Sequence, residues 1–287
     1  MKQLKKLGWV ALLGVMSTAA PVMAEDNSNG FQIAPPPIAH PIFVAGAKDQ
    51  KFDFNYISMS SSEADIDLTG LGASYIVREA YSDSLAISAQ AGLFMLNGTM
   101  PGLALPFYYS GSWFFPESLS KADVSMMSMP FSANIELQLI KEDAASLIVF
   151  IGPNLGFSVM NMQTSYKVSP TSPTYTNLAQ VTSTTAGLQF GMQAGLKLSD
   201  DLKISPFFMV SSSSGTANFT YKSGASGVSD TTYSGDIPDI TTSSIGMDII
   251  IKELSIGTVL QDIQRSNSDG SDAGGMETVM LRFGYKF

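Results

Sequence analysis

Residues 186–198, AGLQFGMQAGLKL, alternate without a break. Ala186, Leu188, Phe190, Met192, Ala194, Leu196 and Leu198 share one face; Gly187, Gln189, Gly191, Gln193, Gly195 and Lys197 share the other. A helix of period 3.6 would mix these two sets, whereas a strand of period 2 separates them. The pattern recurs. In 129–139, Met129, Phe131, Ala133, Ile135, Leu137 and Leu139 oppose Ser132, Asn134, Glu136 and Gln138. In 85–95, Leu85, Ile87, Ala89, Ala91, Leu93 and Met95 oppose Ser88, Gln90 and Gly92. The C-terminal METVMLRFGYKF sets Val279, Leu281, Phe283, Tyr285 and Phe287 against Thr278, Met280, Arg282, Gly284 and Lys286.

Ten such segments lie near 51–60, 67–79, 84–96, 123–140, 146–164, 183–198, 202–221, 239–252, 254–264 and 276–287. Their connections alternate in length. Four are short, around Tyr81–Asp83, Lys141–Asp143, Ser199–Asp201 and Lys252–Glu253. Five, at 61–66, 97–122, 165–182, 222–238 and 265–275, are longer and rich in Ser, Thr, Gly and Pro. SSSSG at 211–215 reads as the flexible end of a long strand.

Short turns on one side, longer loops on the other and an even strand count are the plan of an up-and-down transmembrane β-barrel. It places both ends in the periplasm and the long loops outside. A spanning strand needs about 9–11 residues, and backbone groups in lipid must all be paired, so the sheet has to close. A soluble sandwich or lipocalin-like barrel also alternates, but its apolar face turns inward and needs bulky packing. Here the polar faces carry Gly, Gln, Ser and Asn, which suit the interior of a small barrel. The expected fold is therefore all-β, an antiparallel barrel of about ten strands, with eight or twelve also compatible with the loops at 97–122 and 222–238.

Composition agrees. The chain is 45% hydrophobic and only 14% charged, where about a quarter of residues are charged in an average soluble domain. Apolar surface must face something other than water. There is no Cys, which fits an oxidising compartment without relying on disulfides.

The last strand resembles the C-terminal signal of bacterial outer-membrane β-barrels, which the barrel-assembly machinery reads: alternate apolar residues with Phe283, Gly284, Tyr285 and a terminal aromatic, Phe287. The resemblance is to the superfamily, over residues 51–287. It implies a Gram-negative cell envelope, outer-membrane lipid as surroundings, and periplasmic chaperones and the assembly machinery as partners during biogenesis. It implies no substrate.

The other end fits export. Lys2, Lys5 and Lys6 precede an apolar run, 7–16, and STAAPVMA offers Val22 and Ala24 for cleavage. A run of about ten residues is half of what a bilayer span needs, so residues 1–24 read as a removed signal peptide. Removing three lysines and no acid takes the formal charge from −9 to −12, which excludes nucleic acid as an expected partner. Residues 25–50 hold Pro35, Pro36, Pro37 and Pro41, which forbid a regular helix or a central strand. Two placements fit: an extended periplasmic lead-in, or a plug tucked into the lumen.

Chemistry is sparse. His40, in the Pro-rich segment, is the one histidine, so His-based acyl transfer and zinc chemistry lack their parts. No enzyme, cofactor or metal is expected. Gly70 and Gly72 in TGLGASY sit inside a strand pattern and make no phosphate loop. Asn267, Asp269, Gly270 and Asp272 lack the spacing of a calcium loop. Two groups carry the functional expectation. Arg78, Glu136, Lys197, Asp248 and Arg282 fall on polar faces and should line the lumen, either paired as a polar core or as the lining of a selective channel. Phe107, Tyr108, Tyr109, Trp113, Phe114 and Phe115 in the loop 97–122 form either an interfacial girdle or an aromatic surface for a ligand or partner. The sequence favours a narrow porin-like channel for small solutes; a closed structural or surface-binding barrel acting through its loops is the alternative.

Overall fold

The alternating segments become strands that hydrogen-bond in chain order until the last meets the first. A computed structural model describes residues 48–61, 65–101, 107–109, 112–114, 118–119, 121–142, 144–167, 173–222, 230–266 and 272–287. Ten long strands build the wall: β1 (Lys48–Ser61), β2 (Ile66–Ala80), β3 (Leu85–Met100), β4 (Ala122–Lys141), β5 (Ala145–Lys167), β6 (Tyr175–Lys197), β7 (Leu202–Lys222), β8 (Thr231–Ile251), β9 (Leu254–Ser266) and β10 (Asp272–Lys286). Each pairs antiparallel with the next, and β10 pairs with β1 from Lys51↔Lys286 to Ser60↔Glu277. The ring is closed, so none of the ten wall strands is left as a free edge. Residues 1–47, with the expected signal peptide, most of the Pro-rich segment and His40, lie outside the described residues.

The strands run further than the alternation alone suggests. β6 starts at Tyr175 rather than near 183, and β8 at Thr231 rather than near 239. The connections on that side shrink accordingly, to 62–65, 168–174, 223–230 and 267–271, and only 101–121 is long. SSSSG lies in the middle of β7, not at a flexible end: Ser211 and Ser213 are buried inside the barrel.

Side-chain direction explains the extra length. Toward the short turns, the outward face is apolar. Phe54, Leu71, Met95, Ile135, Leu155, Leu188, Ile245, Leu260 and Phe283 are 47–63% exposed on it, and together they form a belt around the barrel. Inward, the same stretches carry Lys51, Asp53, Asn55, Arg78, Gln90, Asn134, Glu136, Gln189, Gln193, Asp248 and Arg282, all buried. Toward the loops the faces trade character. Asp67, Asn97, Asp123, Asn161, Gln163 and Gln180 point outward and are exposed. Ile57, Met59, Leu68, Phe94, Leu96, Met126, Met160, Met162, Val181, Ile263, Met276 and Met280 point inward and form one buried cluster. The interior is thus charged and amide-rich in its lower storey; above, the expected Gly, Gln, Ser and Asn lining gives way to a largely apolar core, with Thr164, Asn177 and Arg265 also buried at its loop-side end. The physical reason is the surroundings. A wall in lipid needs apolar residues outside, whereas a wall in water needs them inside.

Two local devices keep this arrangement in register. Between β7 and β8 the partners pass from Ser213↔Ile240 to Gly215↔Ile237, so β8 carries one extra residue there, next to Pro238. A bulge tolerates the missing proline N–H, and it leaves both Ile237 and Ile240 facing inward and buried. On β2, Gly72 lies opposite Phe94. A Cβ on Gly72 would sit 2.1 Å from Phe94 Cδ1, so the glycine makes room for that ring in the core.

Candidate functional site

The lower storey is a charged network built from strands on both sides of the β1–β10 seam. Asp248 of β8 is its centre. Its Oδ1 accepts from Arg282 Nη2 at 2.7 Å, and its Oδ2 lies 3.5 Å from Lys51 Nζ. Lys51 Nζ is also 2.9 Å from Asp53 Oδ1. Further round the wall, Arg78 of β2 pairs with Glu136 of β4, with β3 between them. Lys51, Arg78 and Arg282 therefore balance Asp53, Glu136 and Asp248 charge for charge. Removing ions from water costs several kcal/mol each unless partners compensate, so this pairing is what allows six ionisable side chains in a narrow barrel.

Neutral polar side chains complete the storey. Gln189 Nε2 donates to Asn134 Oδ1 at 2.8 Å, Gln193 Nε2 to Ser205 Oγ at 2.6 Å, and Gln261 Nε2 to Ser244 Oγ at 3.2 Å. Phe207 separates the storeys. Arg282 Cζ lies 5.1 Å from the centre of its ring, and the ring belongs to the apolar cluster above. Its charged neighbour gains a cation–π contact in a site shielded from water.

Of the five charges read from the sequence, the structure brings four, Arg78, Glu136, Asp248 and Arg282, into the buried interior. Lys197 is not among them. It sits at the end of β6, half-buried, with its Nζ 2.7 Å from Asp200 Oδ1 in the following turn. That hydrogen bond holds the Asp200 carboxyl below the ordinary carboxylate range. Sequence reading missed Lys51 and Asp53. Their signal was available: in KFDFNY they alternate with Phe52, Phe54 and Tyr56, the same pattern as elsewhere.

The aromatic loop holds a small hairpin of its own, with Phe107–Tyr109 pairing Ser112–Phe114 and Tyr108 opposite Trp113. Their side chains, and Phe115, lie outside the described residues. So do Asn267, Asp269 and Gly270. The terminal residues read as an assembly signal lie on the seam strand: Tyr285 pairs with both Phe52 and Leu254, and Phe287 N donates to Gln50 O at 2.9 Å. The Tyr285 and Phe287 rings meet edge to face, 5.1 Å apart.

No family model matches the chain, and no curated protein matches it. Among solved structures it is similar to the outer membrane protease OmpT from Escherichia coli, at 10% identity and a TM-score of 0.49, over 84% of this chain and 96% of that one. It is similar to the translocator domain of the autotransporter NalP from Neisseria meningitidis, at 11% identity and a TM-score of 0.44, over 85% and 89%. It is also similar to an outer membrane channel from Pseudomonas putida F1, at 11% identity and a TM-score of 0.42, over 88% and 100%. Closure of the ring, the apolar belt and the alternation of short turns with longer loops make the chain a closed, ten-stranded transmembrane β-barrel.

Proposed function

We propose that this protein is a closed barrel, a structural or surface-binding component of the outer membrane that acts through its loop-side end. One observation carries the reading: among the described residues, the inward side chains of both storeys are buried. The charged pairs fill the lower storey, and Phe94, Leu96, Met59 and Met280 above them are at most 1% exposed. A porin-like channel, the reading the sequence favoured, needs a wetted lining, and the paired charges and apolar cluster support the closed alternative instead.

Single-channel recording of refolded protein in a planar bilayer tests this, with heat-modifiable migration as the proof of folding. Folded barrel that stays electrically silent is the expected result. Discrete, reproducible current steps would overturn the proposal and return attention to the lumen charges.

A further inference from the structure

Above the belt, the wall formed by β3 to β7 carries a concave pocket of about 650 Å³ on its outward side. Its surface is more apolar than polar, with exposed amide, hydroxyl and carboxyl groups set into it. Asn97, Asp123, Asn161, Gln163 and Gln180 line it and are exposed. Strand register sets them in two rows. In one, Asn97 lies opposite Ser125, Ser125 opposite Asn161, Asn161 opposite Gln180, and Gln180 opposite Thr220. In the other, Asp123 lies opposite Gln163, Gln163 opposite Leu178, and Leu178 opposite Lys222. Neighbouring strands are about 4.8 Å apart, so the first row offers a polar group at that interval across five strands, while Leu178 interrupts the second.

Chemistry narrows the ligand. Gln180 Nε2 donates to Asn161 Oδ1 at 2.8 Å. That bond fixes both amide planes and leaves the Gln180 carbonyl as an acceptor and the Asn161 amide as a donor toward solvent. Donor and acceptor side by side suit hydroxyl groups, which need both. Lys222, the one cation among the described residues of the lining, lies 3.6 Å from Asp230, which offsets its pull on a phosphate. Leu178, 49% exposed, gives an apolar floor between the amides and Lys222. A pyranose presents hydroxyls at its edge and C–H groups on its face, which matches that combination. We infer that this pocket binds a neutral oligosaccharide. It lies in the wall just outside the belt, within reach of sugars carried by outer-leaflet lipid and of free glycans in the medium. This inference concerns the wall and does not depend on whether the lumen conducts.

The test uses full-length folded protein, a printed array of neutral hexose and heptose oligosaccharides, and lipopolysaccharide in phosphatidylcholine vesicles. Saturable binding is expected, weakened tenfold or more in the Asn161→Ala/Gln180→Ala double variant. Ser125→Trp, which fills the space between Asn97 and Asn161 without deleting an amide, should weaken it equally, and both variants should remain heat-modifiable. Competition by a free array saccharide would assign a soluble glycan; binding of lipopolysaccharide that no free saccharide displaces would assign a lipid-borne one. Failure of the wild-type protein to bind either probe would overturn the inference, as would binding that survives both variants. Loss of binding on dephosphorylating the lipopolysaccharide would overturn it too, because the pocket would then be reading phosphate.

Discussion

Asp248 and Arg282 meet at 2.7 Å although a whole strand runs between them. Gly257 of β9 is in register with both, opposite Asp248 on one side and Arg282 on the other. A Cβ on Gly257 would lie 1.8 Å from Asp248 Oδ1, so the absence of a side chain there is what lets the pair form. Gly257→Ala should therefore push Asp248 aside and destabilise the barrel by about 1–3 kcal/mol, as overpacking does. The midpoint of urea unfolding in lipid vesicles checks this; an unchanged midpoint would show that the pair accommodates a methyl group.

Removing one member of a buried ion pair costs more than removing both. Glu136→Leu leaves Arg78 ionised and without its carboxylate partner, and should cost about 3–5 kcal/mol. Adding Arg78→Met to the same protein should recover most of that loss. A double variant as unstable as the single one would mean that the pair contributes stability beyond mutual neutralisation.

The apolar upper storey makes a separate prediction. Met59 and Leu96 are almost fully buried in the same cluster, so Met59→Ala or Leu96→Ala should cost about 2–5 kcal/mol each. The same unfolding experiment reads it. Loss of less than 1 kcal/mol at both positions would indicate a loosely filled interior and would weaken the closed-barrel proposal.

Outward positions along β5 test where the lipid ends. Arginine at Leu155, in the belt, should cost about 2–4 kcal/mol, falling toward zero near the interface. At Gln163, eight positions further along the same face and exposed, the substitution should be neutral. Equal costs at both sites would mean that the loop-side storey is also immersed.

Phe287 ends the chain with its amide bonded to β1 and its ring against Tyr285. Deleting it, or replacing it with Asp, should lower the amount of heat-modifiable protein recovered from the outer membrane. Normal recovery would show that the last strand is recognised without its terminal aromatic.

The membrane-facing half of the fold was legible because lipid imposes a simple rule: apolar outside, polar within. Leu188, Phe190 and Met192 announce it in sequence, and the strand they belong to lies where alternation placed it. The upper halves of β6 and β8 were read as loop because their outward residues, such as Gln180 and Thr182, resemble loop composition. Their alternation is intact but belongs to the opposite face, with Ala179 and Val181 turned inward. Among the candidate charges, a polar position on a strand was enough to place Arg78, Glu136, Asp248 and Arg282 inside. It did not tell how far along the strand Lys197 lay. At the end of β6 a lysine reaches the turn and finds Asp200 instead.

The exchange of faces partway up the wall has a consequence for assembly. A partly closed ring would satisfy neither storey. Lipid would reach the buried ions below while water reached the methionine-lined core above, so a seam parted between β1 and β10 is penalised by two solvents at once. That double penalty makes closure an all-or-none event and sets the barrel at one depth, like a hull with a fixed waterline.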